Sequence, residues 1–558
     1  MRSLLLAFGS LVLLVSGCGE STPLFLEPPV IEAEDGVLSL TLKPKYTRLS
    51  VNDLDLEGRA YMGLFAPATL RVSRGDRFEI QLENQLPSES TNLHFDGMSI
   101  SPLMQGWTAG DDVFLDVGPG EAQFYSVVVP DDHPQGLFTY RPSRFGEIAS
   151  QIGNGMAGAI IVEGVLDPFP QLAGITERVL VLKDLQRSGS AIFDQPDPEQ
   201  LKMLTVNGQV RPRLKARPGE MQFWSVANAS ANLHYRLSLA DHTFYEVARD
   251  GNRHTRLLAL QNIDLPPSAR SQFLILARNE GKYAFSAATL GNRPPGYDTF
   301  FSGNSPLYTA GACAEAEVAE TTGCDDLDAS TCMGPQAPCV VGGSLGTLVV
   351  EDDKVIAPQL PSEGQFPALT DLREEPRCRR RTFRFEQGPK GDVFTIDGRS
   401  FDPDRIDAEV RLTSEEGCVE EWRLENCSGR NHVFHIGQVD FQVLEINGSP
   451  VEFVGYQDTV TMPFRDCERY ESVPTECQAR EIEGKIYPVY SCPDSQNPRG
   501  EVLVRIPFGP VSAGKFTFRS AAADLSDAGM AAAMEVCSDD EYPCYPPPRQ
   551  GVSPSGSP

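Results

Sequence analysis

Gly75-Asp-Arg-Phe-Glu-Ile-Gln-Leu-Glu-Asn84 is the stretch on which the fold turns. A glycine opens it, an asparagine closes it nine residues later, and Ile80 and Leu82 alternate with polar neighbours. Alternation with period two marks a half-buried β-strand, because successive side chains leave opposite faces. The template recurs as Gly219-Glu-Met-Gln-Phe-Trp-Ser-Val-Ala-Asn228, with Trp224 and Val226 at the apolar positions, and as Gly417-Cys-Val-Glu-Glu-Trp-Arg-Leu-Glu-Asn426, with Trp422 and Leu424. A second template follows each copy: Gly136-Leu-Phe-Thr-Tyr-Arg141, Gly281-Lys-Tyr-Ala-Phe-Ser286 and Gly514-Lys-Phe-Thr-Phe-Arg519. Two templates, three times, in one order, imply three homologous β-sandwich domains.

Working outward, domain one spans 36–165 and ends in Ala159-Ile-Ile-Val-Glu163. Domain two spans 175–352, ends in Thr347-Leu-Val-Val-Glu351, and carries a Cys-rich insertion at 303–345 that reads as disulfide-pinned. Residues 353–379 read as a linker, 380–537 as domain three, and 538–558 as an acidic, then Pro/Ser/Gly-rich tail without fixed structure. The chain's 558 residues suffice for three domains, 41% are aliphatic, aromatic or Cys, and Gly (49) and Pro (44) are plentiful, which favours an all-β protein with many turns.

The formal net charge is -29. Such a chain repels nucleic acid and anionic membrane surfaces, and no basic stripe with interleaved aromatics offsets this, so nucleic-acid binding is excluded. The N-terminus reads as an export signal. Arg2 precedes the apolar run Leu4–Val15, which is too short for a spanning helix of about 20 residues. Val15-Ser16-Gly17-Cys18 resembles a bacterial lipobox, which implies cleavage after residue 18's predecessor and lipidation of Cys18, with 19–35 as a tether. The expectation is a lipoprotein of the cell envelope, periplasmic or on the cell surface. The other twelve cysteines allow up to six disulfides in an exported protein. Cys418 and Cys427 should not pair, since the strand between them spans about 30 Å.

Four segments carry histidine motifs or their remnants. They are Thr91-Asn-Leu-His-Phe-Asp-Gly97, Tyr140-Arg-Pro-Ser143, Asn431-His-Val-Phe-His-Ile-Gly437 and Phe518-Arg-Ser-Ala-Ala-Ala-Asp-Leu-Ser-Asp-Ala-Gly-Met530. Their order and spacing, with the repeats, resemble three-domain multicopper oxidases over nearly all of 36–537. The resemblance implies three cupredoxin-like Greek-key sandwiches, an electron-accepting type 1 copper in domain three, and a three-copper cluster between domains one and three. It also implies which positions would hold the metals. At the type 1 positions stand His432, Ser520 for the cysteine, Leu525 for a histidine, and the axial Met530. A serine hydroxyl is a poor substitute for the thiolate such a site needs. At the cluster positions stand His94, Asp96, Arg141, Ser143, His435, Gly437, Arg519 and Ala521. Two of these are arginines, fixed cations that oppose metal by Coulomb repulsion. The expectation is that Asp96 pairs with Arg141, Arg519 or both, bridging domains one and three.

Three readings of function follow. The first is a copper-free binding or scaffold protein, a monomer with an envelope partner the sequence does not name; copper-free relatives of this architecture include a division-associated periplasmic protein. The second is a mononuclear copper or other metal protein, or an oxidoreductase, using His94 and His435, with His432 as a further candidate ligand and Asp96 as a possible carboxylate ligand. The third, an active multicopper oxidase, lacks its thiolate. His133, His234 and His242 read as structural, and His254 as part of a surface loop. No Gly-x-Ser-x-Gly elbow, P-loop or His-Glu-x-x-His occurs.

Overall fold

The computed structural model describes residues 22–538 apart from position 53 and residues 195–202, 291–341, 389–392, 413–416, 429–430, 464–479, 483–484 and 488–499. Cys18, the export signal, most of the Cys-rich insertion and the tail beyond 538 therefore lie outside the described residues. What is described is mostly strand, in sheets that close around three separate apolar cores.

The repeated template explains why. Gly75, Gly219 and Gly417 have φ of +84°, +86° and +81°, a left-handed conformation open to glycine at little cost. Each turns the chain into a strand: Arg77–Glu83, Glu220–Asn228 and Cys418–Cys427. The alternating residues Ile80, Leu82, Trp224, Val226, Trp422 and Leu424 are all fully buried. The closing asparagines repeat one device. The side-chain oxygens of Asn84, Asn228 and Asn426 accept from the amides of Leu86, Ser230 and Ser428 at 2.9, 3.0 and 3.1 Å, an Asx-type turn that ends the strand. Their side-chain nitrogens donate to backbone carbonyls distant in sequence, from Asn84 to Val117, Asn228 to Leu265 and Asn426 to Met462.

In the first unit, the sheet ordered Val30–Glu32, Thr69–Val72, Gly158–Val162, Gly136–Arg141, His94–Asp96 faces the sheet ordered Val37–Leu42, Arg77–Glu83, Ala122–Val128, Thr108–Ala109. The second and third units each pair a six-stranded with a five-stranded sheet. Two short helices, Ile148–Asn154 and Ala523–Asp527, sit where units one and three meet. The Asp527 carboxylate accepts from the amides of Gly146, Ile148 and Ala149, so unit three supplies the cap of unit one's helix.

Some boundaries move. Of the segment 19–35 read as a tether, the described part, 22–35, is held down: Val30–Glu32 adds in parallel to Thr69–Val72, and Leu24 bridges Arg213 of unit two. The strand Gly342–Val350 begins inside the segment read as insertion, and Arg377–Gln387 begins before residue 380, because both must extend to reach their neighbours in register. His254 is no surface residue. The turn falls earlier, at Asp250-Gly251 with φ of +48° and +81°, so Asn252–Leu260 is strand and His254 is buried against Glu246. Cys418 is joined to Cys378 and Cys427 is in a different disulfide, as the strand length between them demands.

Candidate functional site

Two cross-strand pairs build the site. In unit one His94 lies opposite Arg141, and in unit three His435 lies opposite Arg519. Side chains directly opposite in an antiparallel ladder share a face, so each unit presents one imidazole and one guanidinium towards the other. All four residues are buried, as is Asp96, which stands two residues beyond His94 and so on the same face of its strand.

Asp96 is the hub. Arg141 Nη2 donates to Asp96 Oδ1 at 2.8 Å, and Arg141 Nε lies 2.8 Å from Oδ2. His435 Nε2 lies 3.1 Å and His94 Nε2 3.3 Å from the same Oδ1, with Arg519 Nη2 at 3.7 Å. Thr139 Oγ1 donates to Oδ2 at 3.3 Å. Burial alone would push this carboxyl up; Arg141 and His435 outweigh it and hold Asp96 well below the usual carboxylate range. Asp96 thus pairs tightly with Arg141 of its own unit, as expected, while its bridge to unit three runs through His435 at 3.1 Å and, at the longer 3.7 Å, Arg519.

The outer face of each imidazole also meets a carboxylate. Both oxygens of Asp111 lie 2.9 Å from His94 Nδ1, and Asp111 also accepts from the Phe95 amide and from Gln438 Nε2 of unit three. Asp458 Oδ1 lies 3.6 Å from His435 Nδ1, with Thr459 Oγ1 at 3.3 Å. Burial pulls both histidines down, but the flanking carboxylates win: His94 rises to about 8 and His435 to about 9. Asp458 is in turn clamped by the fully buried Arg270 of unit two, whose Nε also donates to the Leu137 carbonyl of unit one. Gly97 makes room for that clamp. Its φ is +84°, and a Cβ there would stand 2.1 Å from Arg270 Nη2.

The remaining sequence-predicted residues divide. Ser143 and Ala521 are buried, Ser143 held by its amide to Asn92, and Ala521 beside Asp96 and Arg141 in a small crevice. Gly437 has no steric need to be glycine: an added Cβ would meet only the Thr517 carbonyl, at 3.6 Å. His432 is engaged by Ser428 at 2.7 Å. Ser520, Leu525 and Met530 are buried in unit three, Leu525 and Met530 within its apolar core, with the Ser520 amide on the Met530 carbonyl. His133 is buried, accepts from the Ser99 amide and contacts the Pro134 carbonyl; burial drops it to about 4, which keeps it neutral. His234 and His242 lie in unit two, away from the cluster. Sequence reading did not find Asp111, Gln438, Asp458 and Arg270. Gln438 directly follows the motif that ends at Gly437, and Asp111, in Gly110-Asp-Asp112, lies downstream of the one that ends at Gly97; Arg270 and Asp458 carry no local signal.

Three sandwiches in tandem with a polar cluster at their junction define a cupredoxin-like three-domain protein. A family model described as multicopper oxidase matches residues 47–166, and another of the same description matches 178–301. Multicopper oxidase mco of Staphylococcus epidermidis is 22% identical over 419 residues, 72% of this chain and 74% of that protein. The solved multicopper oxidase of Campylobacter jejuni, titled a metallo-oxidase, superposes with a TM-score of 0.68 at 18% identity, covering 92% of this chain and 95% of that one. McoA multicopper oxidase from Aquifex aeolicus gives 0.68 at 16% identity, covering 92% and 99%. The chain belongs to the multicopper oxidase superfamily.

Proposed function

We propose that this chain is a copper-free member of its superfamily, an envelope lipoprotein anchored through Cys18 that works by binding or scaffolding rather than catalysis. One observation carries the reading: a single carboxylate, Asp96, stands amid two imidazoles and two guanidinium groups where the family resemblance puts three coppers. The donor set does not suit such a cluster. Arginine offers no lone pair, and an imidazole whose two nitrogens both face carboxylates is biased towards the protonated form, which offers none either. Ser520 and Leu525 leave the type 1 position without thiolate or second imidazole.

Elemental analysis and visible spectroscopy of the full-length protein, purified from its native envelope, test the reading. The expected result is a colourless protein with substoichiometric copper. A strong blue absorption band, or stoichiometric copper retained through dialysis, would overturn it. A second reading has one observation in its favour. Ligand atoms of His94, Asp96 and His435 lie within 4.8 Å of one another, close enough for one shared ion. Equilibrium dialysis against Cu(II) separates the two: metal bound by the wild type and lost in the His94→Ala/His435→Ala variant would select the mononuclear site.

A further inference from the structure

We propose that the end of unit two that holds the N-terminal segment lies against an anionic phospholipid surface, the bilayer of the chain's own anchor; this rests on the reading above that Cys18 is lipidated. Reach carries the argument. The segment from Thr22 to Leu26 is fastened to unit two. Arg213 Nε donates to the Thr22 carbonyl at 3.0 Å, the Arg213 amide to the Pro23 carbonyl at 2.8 Å, and the Phe25 amide back to the Arg213 carbonyl at 2.9 Å. Gln209 Nε2 donates to the Leu24 carbonyl and its Oε1 accepts from the Leu26 amide, both at 2.8 Å, and Asn207 Nδ2 donates to the Leu26 carbonyl at 3.1 Å. Only residues 19–21 stand between Cys18 and Thr22, a fully extended reach of about 14 Å. A lipidated Cys18 therefore keeps this end of unit two at the head groups, at the high effective concentration that a short linker imposes.

The face at that end has the chemistry for such a surface. Leu24 bridges Arg213 in parallel, so the two share a face, and Leu26 returns to it two residues on. Leu24 and Leu26 are 49% and 64% exposed, while Phe25 between them packs on unit two's core. Along the strand Arg213–Ala216 and its flanks, Arg211, Arg213, Lys215 and Arg217 are all exposed, with Pro212, Leu214 and Ala216 buried between them. Glu351 takes Lys215 at 2.8 Å and Glu220 takes Arg217 at 3.5 Å; Arg211 and Arg213 are in no ion pair among the described residues. Exposed leucines bury at the acyl boundary and neighbouring cations meet lipid phosphates. At a net charge of -29 the chain as a whole is repelled by an anionic surface, so electrostatics turns this face, and no acidic one, towards it. Leucines and cations standing at the root of the anchor commit the face to lipid rather than to a protein.

The test uses the full-length protein, purified from its native envelope and reconstituted into vesicles whose phospholipids carry bromine, a fluorescence quencher, on their acyl chains. Leu26→Trp places an indole on the proposed face, and Val128→Trp places one at an exposed position of unit one as a control. The expected result is that the emission added by L26W is quenched about twofold or more in vesicles of mixed phosphatidylglycerol and phosphatidylcholine, and that of V128W is not. The quenching should weaken about twofold in pure phosphatidylcholine or at high salt. An unquenched L26W, quenching equal to that of V128W, or quenching indifferent to head-group charge overturns the proposal. Should L26W not fold, Leu24→Trp is read in the same way. Mass spectrometry of the N-terminal peptide keeps the two readings apart. Cys18 without acyl chains sinks the anchor reading and the proposal with it, whereas an acylated Cys18 with an unquenched indole sinks the proposal alone.

Discussion

Asp96→Asn removes one charge and almost no volume, and so isolates what the hub does. In the native protein its carboxylate is fully buried and meets Arg141 twice at 2.8 Å. Unit charges about 4 Å apart at an effective dielectric of about 20 interact by about 4 kcal/mol. Removing one partner of a buried pair typically costs about 3–5 kcal/mol, mostly because the other charge stays buried without compensation. D96N is therefore expected to destabilise by about 3–4 kcal/mol in urea unfolding at neutral pH. Arg141→Met alone should cost a similar amount. The double variant should cost clearly less than the sum, with a coupling of about 2–3 kcal/mol. NMR titration of His435 supplies a reading independent of global stability: its pKa, raised to about 9 in the native cluster, should fall in D96N, because Asp96 is the foremost charge holding it up. A cost below about 1 kcal/mol with no coupling, or an unmoved His435, would refute the hub.

Stability should fall as pH rises from about 6.5 to 8. His94 and His435 have folded pKa values of about 8 and about 9 above an ordinary 6.5, so their contribution is fully present below 6.5 and is lost as pH passes the folded values. Asp440, raised to about 8 chiefly by burial, slopes the same way, and His435→Gln should flatten part of the decline in a pH series of denaturant midpoints. Lys183 has the opposite sign. Burial drops it to about 7 from 10.5, so the unfolded chain holds its proton longer and stability recovers between those values; Lys183→Met should abolish that recovery and steepen the net fall. Gly97→Ala should destabilise by about 2–4 kcal/mol in the same assay, because the new methyl meets the Arg270–Asp458 clamp at a left-handed φ of +84°; a neutral result would mean that the clamp is not tight.

The sandwiches were legible because their signals are local. A glycine that must turn left, two buried residues at period two and an asparagine that ends the strand all lie within ten residues, and each has a direct structural cause. Asp96, Arg141, His435 and Arg519 were legible for a different reason: motif spacing placed them in the cross-strand positions they occupy. Arg270 and Asp458 were not. They come from different units, 188 residues apart, and only the packing of all three units brings them together. His254 was misread because Asn252-Arg253 looks like a turn, whereas the left-handed pair lies two residues earlier, at Asp250-Gly251. The early chain was misread because a three-residue strand such as Val30–Glu32 is too short to show a period.

The same geometry says what an ion cluster contributes at this junction. Buried ion pairs are weak contributors to net stability, since desolvation offsets most of their attraction, but they tolerate few alternative arrangements. Apolar contact already joins the units: a cluster containing Leu137, Ile148, Val181, Ala227 and Ala523 draws on all three. Apolar surfaces can slide and repack at modest cost. The Arg270–Asp458 pair, the Arg270 bond to Leu137, the Asp96 hub and the Asp527 cap on the helix Ile148–Asn154 cannot, because each shift would strand a buried charge or an amide. Together they touch every pair of units. On the copper-free reading, directional ion pairs fix the relation of the three sandwiches, so a binding face composed of more than one unit would be presented in a single arrangement.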